Sequence, residues 1–455
     1  MKNILKALAG NTIIFAIGNS VSMVVSFMMV PFYTRVLIPK DFGTSDIINT
    51  TTFLLVPVVS LNVAAAIFRF ALDPDEDKST LISNGLFITF FGTLLTLLVS
   101  GISEAFGVEY SMYVGIYISL VAFVSLLQNF VRGLDKITSF TVSGIIMTLT
   151  NVCCNIFLMG TMKFGLIGYL LSFILAQIAA LFYLFFSSKI YKYINLRLIS
   201  KDSIIKYLKY SIPMIPNGLA WWLTNDFNKI LILYFLGPTS NGLLAVANKV
   251  PNVINTVFGM FSNAWQITAV QEEKNSESDK LYELVCSLVF GLLIIISAVI
   301  VLMIKWFMSF YVSANYFKAW KLVPILLIAI LFSCLSAFFG TFYLVAKKTR
   351  GLFSTTIWGM IFNIAAGAIL IPSFGLMGSA LSSALGFATV SLIRYKQIKN
   401  FVSFHMDVAL LIMLFIAYLA ISFSVYMSHN YISILIFLIM IVFFIGRILM
   451  NFRNE

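Results

Sequence analysis

Fourteen times along this chain an apolar run of about 18 to 26 residues stops at a cluster of charged or turn-forming residues. LVCSLVFGLLIIISAVIVLMI (284–304) is the purest of them. A bilayer core about 30 Å thick needs about 20 apolar helical residues to cross it. Within lipid each backbone polar group must be satisfied internally, which leaves helices or closed barrels. Barrel strands would show short segments of alternating hydrophobicity, and none is present. The runs predict helices near 11–34, 44–68, 81–101, 112–131, 139–160, 166–187, 211–236, 241–269, 282–304, 322–345, 353–371, 376–395, 407–427 and 432–450. Composition agrees: 60% of the 455 residues are hydrophobic and 11% charged, with 44 phenylalanines. Soluble domains carry about a quarter charged residues, so lipid is the expected solvent for most of this chain.

The net charge of +12 does not call for nucleic acid, because the cations lie between apolar runs instead of on one soluble module. With the N-terminus placed in the cytoplasm, 22 of the 30 Lys and Arg fall in cytoplasmic segments. Six fall outside (Arg35, Lys40, Lys163, Lys305, Lys318 and Lys321), and Lys229 and Lys249 remain within spans. The positive-inside rule therefore orients both termini towards the cytoplasm of a multi-pass cytoplasmic-membrane protein. The opening MKNILKALAG leads into an apolar run without a small-residue cleavage site, and is read as part of a retained helix. All four cysteines lie in apolar runs, and the two histidines, His405 and His429, are far from them. Neither a disulfide framework nor a metal site is expected, and no cofactor is.

The two halves of the chain echo each other. LIPKDFG (37–43) after the first run matches LGPTSNG (236–242) after the seventh, and FGLIGYLLS (164–172) matches FGLMGSALS (374–382). Asn151 and Asn363 stand in the runs before the second pair. The expected fold is an all-α polytopic membrane protein with two six-helix bundles related by a pseudo-two-fold axis. Its parts are an N-terminal bundle (1–187), a basic cytoplasmic linker (188–210), a C-terminal bundle (211–400) and two additional helices (401–455). Such repeats are a transporter architecture, with the substrate path at the repeat interface.

Several stretches carry a family resemblance: PFYTRVLIPKDFG (31–43), IFRF (67–70), DFNKILILYFLGPTSNGLLAVANKV (226–250) and IPSFGLMGSALSS (371–383) with Asn363. In these the chain resembles the multidrug/oligosaccharidyl-lipid/polysaccharide flippase superfamily, and within it the Wzx-type O-antigen and exopolysaccharide flippases. The resemblance implies movement of an undecaprenyl-diphosphate-linked oligosaccharide from the inner to the outer leaflet, for O-antigen, capsule or exopolysaccharide. It implies lipid-linked oligosaccharide and membrane lipid as partners, together with a polysaccharide polymerase and chain-length machinery.

The ionisable groups inside the spans are the candidate site. A central Asp, Lys or Arg costs about 2.5–3.5 kcal/mol on insertion scales, so such groups face one another or a water-filled cavity. Asp226 and Lys229 are three apart and share a helical face. Lys249 is expected at a similar depth in the next helix, within pairing range of Asp226. One carboxylate cannot neutralise two ammonium groups, and the surplus charge suits a diphosphate. Arg35 and Arg69 are further candidates for that anion. Asp226 is the candidate for ion coupling or charge pairing. Asn225, Asn248 and Asn252 are candidate sugar contacts, alongside Asn19, Asn217 and Asn255. The same residues also fit plainer roles: a local Asp226–Lys229 pair with the lysine snorkelling, interfacial anchoring by Arg35 and Arg69, and interhelical amide bonds.

No P-loop is present, and no outer loop clusters acids or histidine, so an enzyme is not expected. Two alternatives remain. A MATE-like small-molecule antiporter for cationic drugs should line its cavity with acids. A membrane polysaccharide polymerase or glycosyltransferase would extend a lipid-linked glycan.

Overall fold

The computed structural model of the protein describes residues 22–271, 278–346, 349–400 and 406–453. Among the described residues every regular element is helical. Ten helices are long and apolar enough to cross a membrane, and Ser22–Val36 and Tyr431–Arg447 are shorter apolar helices. Large side chains along them are exposed: Phe53 is 65% exposed, Leu95 63% and Val442 71%. Surface of that kind in such quantity belongs against acyl chains. The protein is a multi-pass membrane protein.

The chain divides into two compact units, Met1–Leu223 and Thr224–Glu455. The first contains α1 (Ser22–Val36), α2 (Pro39–Val59), α3 (Val63–Ala71), α4 (Lys78–Ala105), α5 (Ser111–Gly133), α6 (Ile137–Asn155), α7 (Gly165–Ser187) and α8 (Lys201–Ser211). Helix α9 (Ile215–Leu236) runs from it into the second unit. There follow α10 (Pro238–Ala247), α11 (Lys249–Gln271), α12 (Ser278–Tyr311), α13 (Val323–Val345), α14 (Thr349–Phe374), α15 (Leu376–Ile398), α16 (Val408–Tyr426) and α17 (Asn430–Arg453).

Two expected spans are bent. The run 44–68 bends after Pro57, where Leu61 and Asn62 both take left-handed backbone (φ 48 and 52) before α3 begins. A Cβ at Gly92 would collide with the carbonyl oxygen of Val59, so α4 passes against this bend only because Gly92 has none. The run 241–269 is kinked at Asn248, between α10 and α11. Pro251 lies three residues further on, and its ring cannot share space with the carbonyl of Ala247. The linker, expected to be only a polar connection, contains α8. Ser200 caps that helix by accepting from Ser203 N, and Tyr207 and Ile190 are buried in the core of the first unit.

The repeated FGLxGxxLS frame makes a turn with a positive-φ glycine in both units. Gly165 and Gly375 are left-handed (φ 53 and 59), and each ends one span and starts the next. Three residues on, Gly168 lies against Leu158 and Gly378 against Leu370, each on the preceding span. The first glycine supplies the turn, and the second lets adjacent helices approach. The first unit differs by one π-helical turn, Ile156–Thr161, just before its frame.

Candidate functional site

Helix α9 places Asp226 and Lys229 one turn apart. Lys229 Nζ lies 3.0 Å from Asp226 Oδ1, with side-chain exposures of 21% and 33%. Asn241 on α10 donates to the Lys229 carbonyl at 2.9 Å and ties the pair's backbone to the next helix. Lys249 follows Asn248, whose backbone stays right-handed helical with its N–H bonded to the Leu244 carbonyl, so it lies inside a kinked but helical run as expected and is half-buried. Asn248 is half-buried at the same kink, and Asn252 and Asn255 are exposed. Asn19 and the side chains of Asn217 and Asn225 lie outside the described residues.

The two arginines stand apart from that group in sequence and environment. Arg35 is exposed in the last turn of α1. Arg69 ends α3 and lies 3.9 Å from Asp73, with about half its side chain exposed.

Three polar groups that sequence reasoning passed over are better buried than any of these. The first surrounds Asn228, on the face of α9 next to the ion pair and only 5% exposed. Its Nδ2 has four oxygens around it: Asn363 Oδ1 on α14 at 2.9 Å, and Ser383 Oγ at 2.9 Å, Ser382 Oγ at 3.1 Å and the Ser379 carbonyl at 3.5 Å on α15. An amide nitrogen has two protons for those four acceptors, while Asn228 Oδ1 is buried with no partner. Ser382 Oγ itself donates to the Ser379 carbonyl at 2.9 Å, so the hydroxyls act as donors as well as acceptors and the cluster ties α9 to α14 and α15. No cluster of metal-binding His, Cys, Asp or Glu occurs among the described residues.

The second group lies in the first unit. Asn155 on α6 donates to the Tyr33 hydroxyl at 3.0 Å and to Asn151 Oδ1 at 2.9 Å. Tyr33 and Tyr169 meet edge to face at 5.0 Å, with Ser45 and Asp46 of α2 close to the Tyr169 hydroxyl. Asn155 Oδ1 and Asn151 Nδ2 are buried without partners. Asp46 is a second acid within an apolar helix, one that sequence reasoning did not single out beside Asp226. Helix α2 starts at Pro39, ahead of the expected position 44, and puts Asp46 two turns inside it.

The third is Arg394, near the end of the expected span 376–395 and found 6% exposed inside α15. Its Nε donates to Thr355 Oγ1 (3.0 Å) and its Nη1 to the Ser336 carbonyl (2.6 Å). Its Nη2 donates to Thr356 Oγ1 (3.0 Å) and the Leu352 carbonyl (3.3 Å). All four acceptors are neutral, so the cation is solvated by α13 and α14 and pins both to α15.

Comparison with known proteins places these features. Over 87% of its length the chain overlays a MATE transporter in the straight conformation, with a TM-score of 0.57, 13% identity and 95% of that chain covered. The likeness is higher for an inward-facing multidrug resistance MATE transporter of the MOP superfamily, with a TM-score of 0.67 and 11% identity, covering 83% of this chain and 94% of that one. Lipid II flippase MurJ in an inward closed conformation gives 0.67 at 12% identity, covering 97% of this chain and 99% of that one. In sequence, 301 residues are 22% identical to the uncharacterised membrane protein MJ1375 of Methanocaldococcus jannaschii, over 62% of this chain and 69% of that protein. Residues 8–266 match the family model described as polysaccharide biosynthesis protein. That match spans more than half of the 455 residues, and the chain belongs to the polysaccharide biosynthesis protein family, on the fold of the MOP transporters.

Proposed function

We propose that this chain is a flippase for undecaprenyl-diphosphate-linked oligosaccharide in the cytoplasmic membrane, working by alternating access with both termini cytoplasmic. The observation that carries this reading is the retention of Lys229 and Lys249 in the α9–α11 region of a polysaccharide biosynthesis protein. Ammonium groups held at membrane depth are costly, and a diphosphate headgroup offsets that cost as it passes. The sugars follow the diphosphate, with Asn248 and Asn252 offering amides to their hydroxyls and Arg35 and Arg69 lying at the ends of helices. The polyprenyl tail stays in lipid throughout. No group on the chain breaks or makes a bond in this cycle, so the protein is a transporter, feeding a polymerase and chain-length machinery.

An ion gradient would drive the cycle, with Asp226, paired to Lys229, as the coupling residue.

Lys249→Ala is expected to abolish surface polysaccharide while lipid-linked repeat units accumulate inside the cell, measured by labelling both pools. Lys249→Arg retains part of the activity if charge alone is needed. Normal surface polymer in Lys249→Ala defeats the reading. The overlay on MATE transporters favours one second reading, export of small cationic drugs. Cells lacking the protein would then gain drug sensitivity and keep their surface polymer.

A further inference from the structure

Between α7 and α9 the chain carries six cations and one acid: Lys189, Lys192, Arg197, Lys201, Lys206 and Lys209 against Asp202. Their arrangement is ordered. The linker is fastened to the first unit by side chains of α4, since Asn84 Nδ2 donates to the Leu198 carbonyl (3.0 Å) and its Oδ1 accepts from Ser200 N (3.0 Å). Ser83 Oγ accepts from Asn195 N at 2.9 Å. Lys206 and Tyr207 both bind Glu76, at 2.5 Å each. Lys206 is thus neutralised, while the other five cations point outwards and are exposed.

Large apolar residues are exposed among those cations: Leu196 is 75% exposed, Ile205 51% and Tyr191 47%. The inner face of α8 already packs on the protein through Ile204, Tyr207 and Leu208, so these outer residues are surplus to the fold. Lys and Arg interleaved with Leu, Ile and Tyr at the end of a spanning helix match the boundary between headgroups and acyl chains. Ile190 and Ile194 of the same linker line a half-open cavity of about 250 Å³ together with Phe123, Leu127 and Phe185. The cavity is lined by hydrocarbon side chains alone. At roughly 30 Å³ for a water-sized group, it accepts a chain segment of about eight such groups.

We infer that residues 188–212 form a binding site for a resident anionic phospholipid, its phosphate on the linker cations and part of one acyl chain in the cavity lined by Ile190 and Ile194. Charge selects the headgroup and the apolar lining selects the chain. The site belongs to the first unit by itself and does not depend on which substrate is transported.

The full-length protein, reconstituted in nanodiscs of equal phosphatidylglycerol and phosphatidylcholine and released into a native mass spectrometer, is expected to keep phosphatidylglycerol preferentially. Joint replacement Lys192→Gln, Arg197→Gln and Lys201→Gln, at exposed positions that leave the core intact, should lower that retention at least five-fold. Ile194→Trp fills the cavity and should lower it with every charge in place. If Ile194→Trp fails to fold, the charge variant alone decides. Equal retention of both lipids, or unchanged retention in the charge variant, overturns the site. Undecaprenyl phosphate added to the nanodisc should leave phosphatidylglycerol bound. Its displacement would assign the site to substrate lipid instead and overturn the inference.

Discussion

Asn228 shows how much chemistry a single uncharged side chain can organise. A deeply buried amide that donates towards Asn363 on α14 and the serines of α15 holds α9 against both helices. Asn228→Leu should therefore lower stability by about 1–3 kcal/mol in denaturant unfolding, and an unaltered midpoint would exclude the cluster as a tie. Arg394 presents the charged case, a permanent charge fully served by neutral acceptors. Its four hydrogen bonds, at roughly 1 kcal/mol net each, make Arg394→Leu about 2–4 kcal/mol less stable in denaturant unfolding, with Arg394→Lys intermediate. An unaltered midpoint would show that α13, α14 and α15 need no such clamp. Neither residue stood out in the sequence. Lys229 and Asp226 did, because charge in an apolar run is conspicuous. Asn228 sits between them, and its importance depends on Asn363, Ser382 and Ser383, which are over 130 residues away. Proximity of that kind is written in packing, and no local pattern announces it.

At the scale of elements, periodicity predicted spans well and their interruptions poorly. Hydrophobicity continues across Leu61 and across Asn248, so nothing in the apolar pattern marks a bend there. The prolines at 57 and 251 were the available signal, and prolines alone do not separate a bend from a stop. The FGLxGxxLS frame was legible because a left-handed turn followed by close helix contact admits glycine and little else. Helix α8 was missed since its three cations concealed a short apolar stripe of Ile204, Tyr207 and Leu208. Its attachment is sensitive to acid. Partial burial pushes the Glu76 carboxyl up, but the bonds from Lys206 and Tyr207 outweigh this and hold it below its ordinary value. A carboxyl depressed in the folded state stabilises it at neutral pH, and that contribution is lost as pH falls through the folded value. A spin label on Asp202→Cys, with Cys153 and Cys154 replaced by serine, should stay immobile at pH 7 and loosen only in acid below the ordinary carboxylate range. Adding Glu76→Gln should loosen it at every pH. A label equally immobile in both proteins would remove Glu76 as the fastening.

For the molecule as a whole, charge distribution makes a prediction that helix geometry alone does not. In the proposed topology, with 22 cations on one set of loops, both ends of the chain lie on the cytoplasmic side. Alkaline phosphatase fused after Arg453 should be inactive in cells, and fused at Lys318 it should be active. The reverse pattern would invert the protein and place the lipid-binding linker on the outer leaflet. Membership of the polysaccharide biosynthesis family follows from the match over residues 8–266, whereas the cargo rests on the lysines and is open to direct test.

The corner at Leu61–Asn62 has a consequence beyond transport. A leucine held at φ 48 bears about 1–2 kcal/mol that glycine would not. A laboratory search for hardier versions of this protein should converge on that position early. If sturdier isolates then turn over more slowly, the awkward leucine is being kept for speed at the expense of durability.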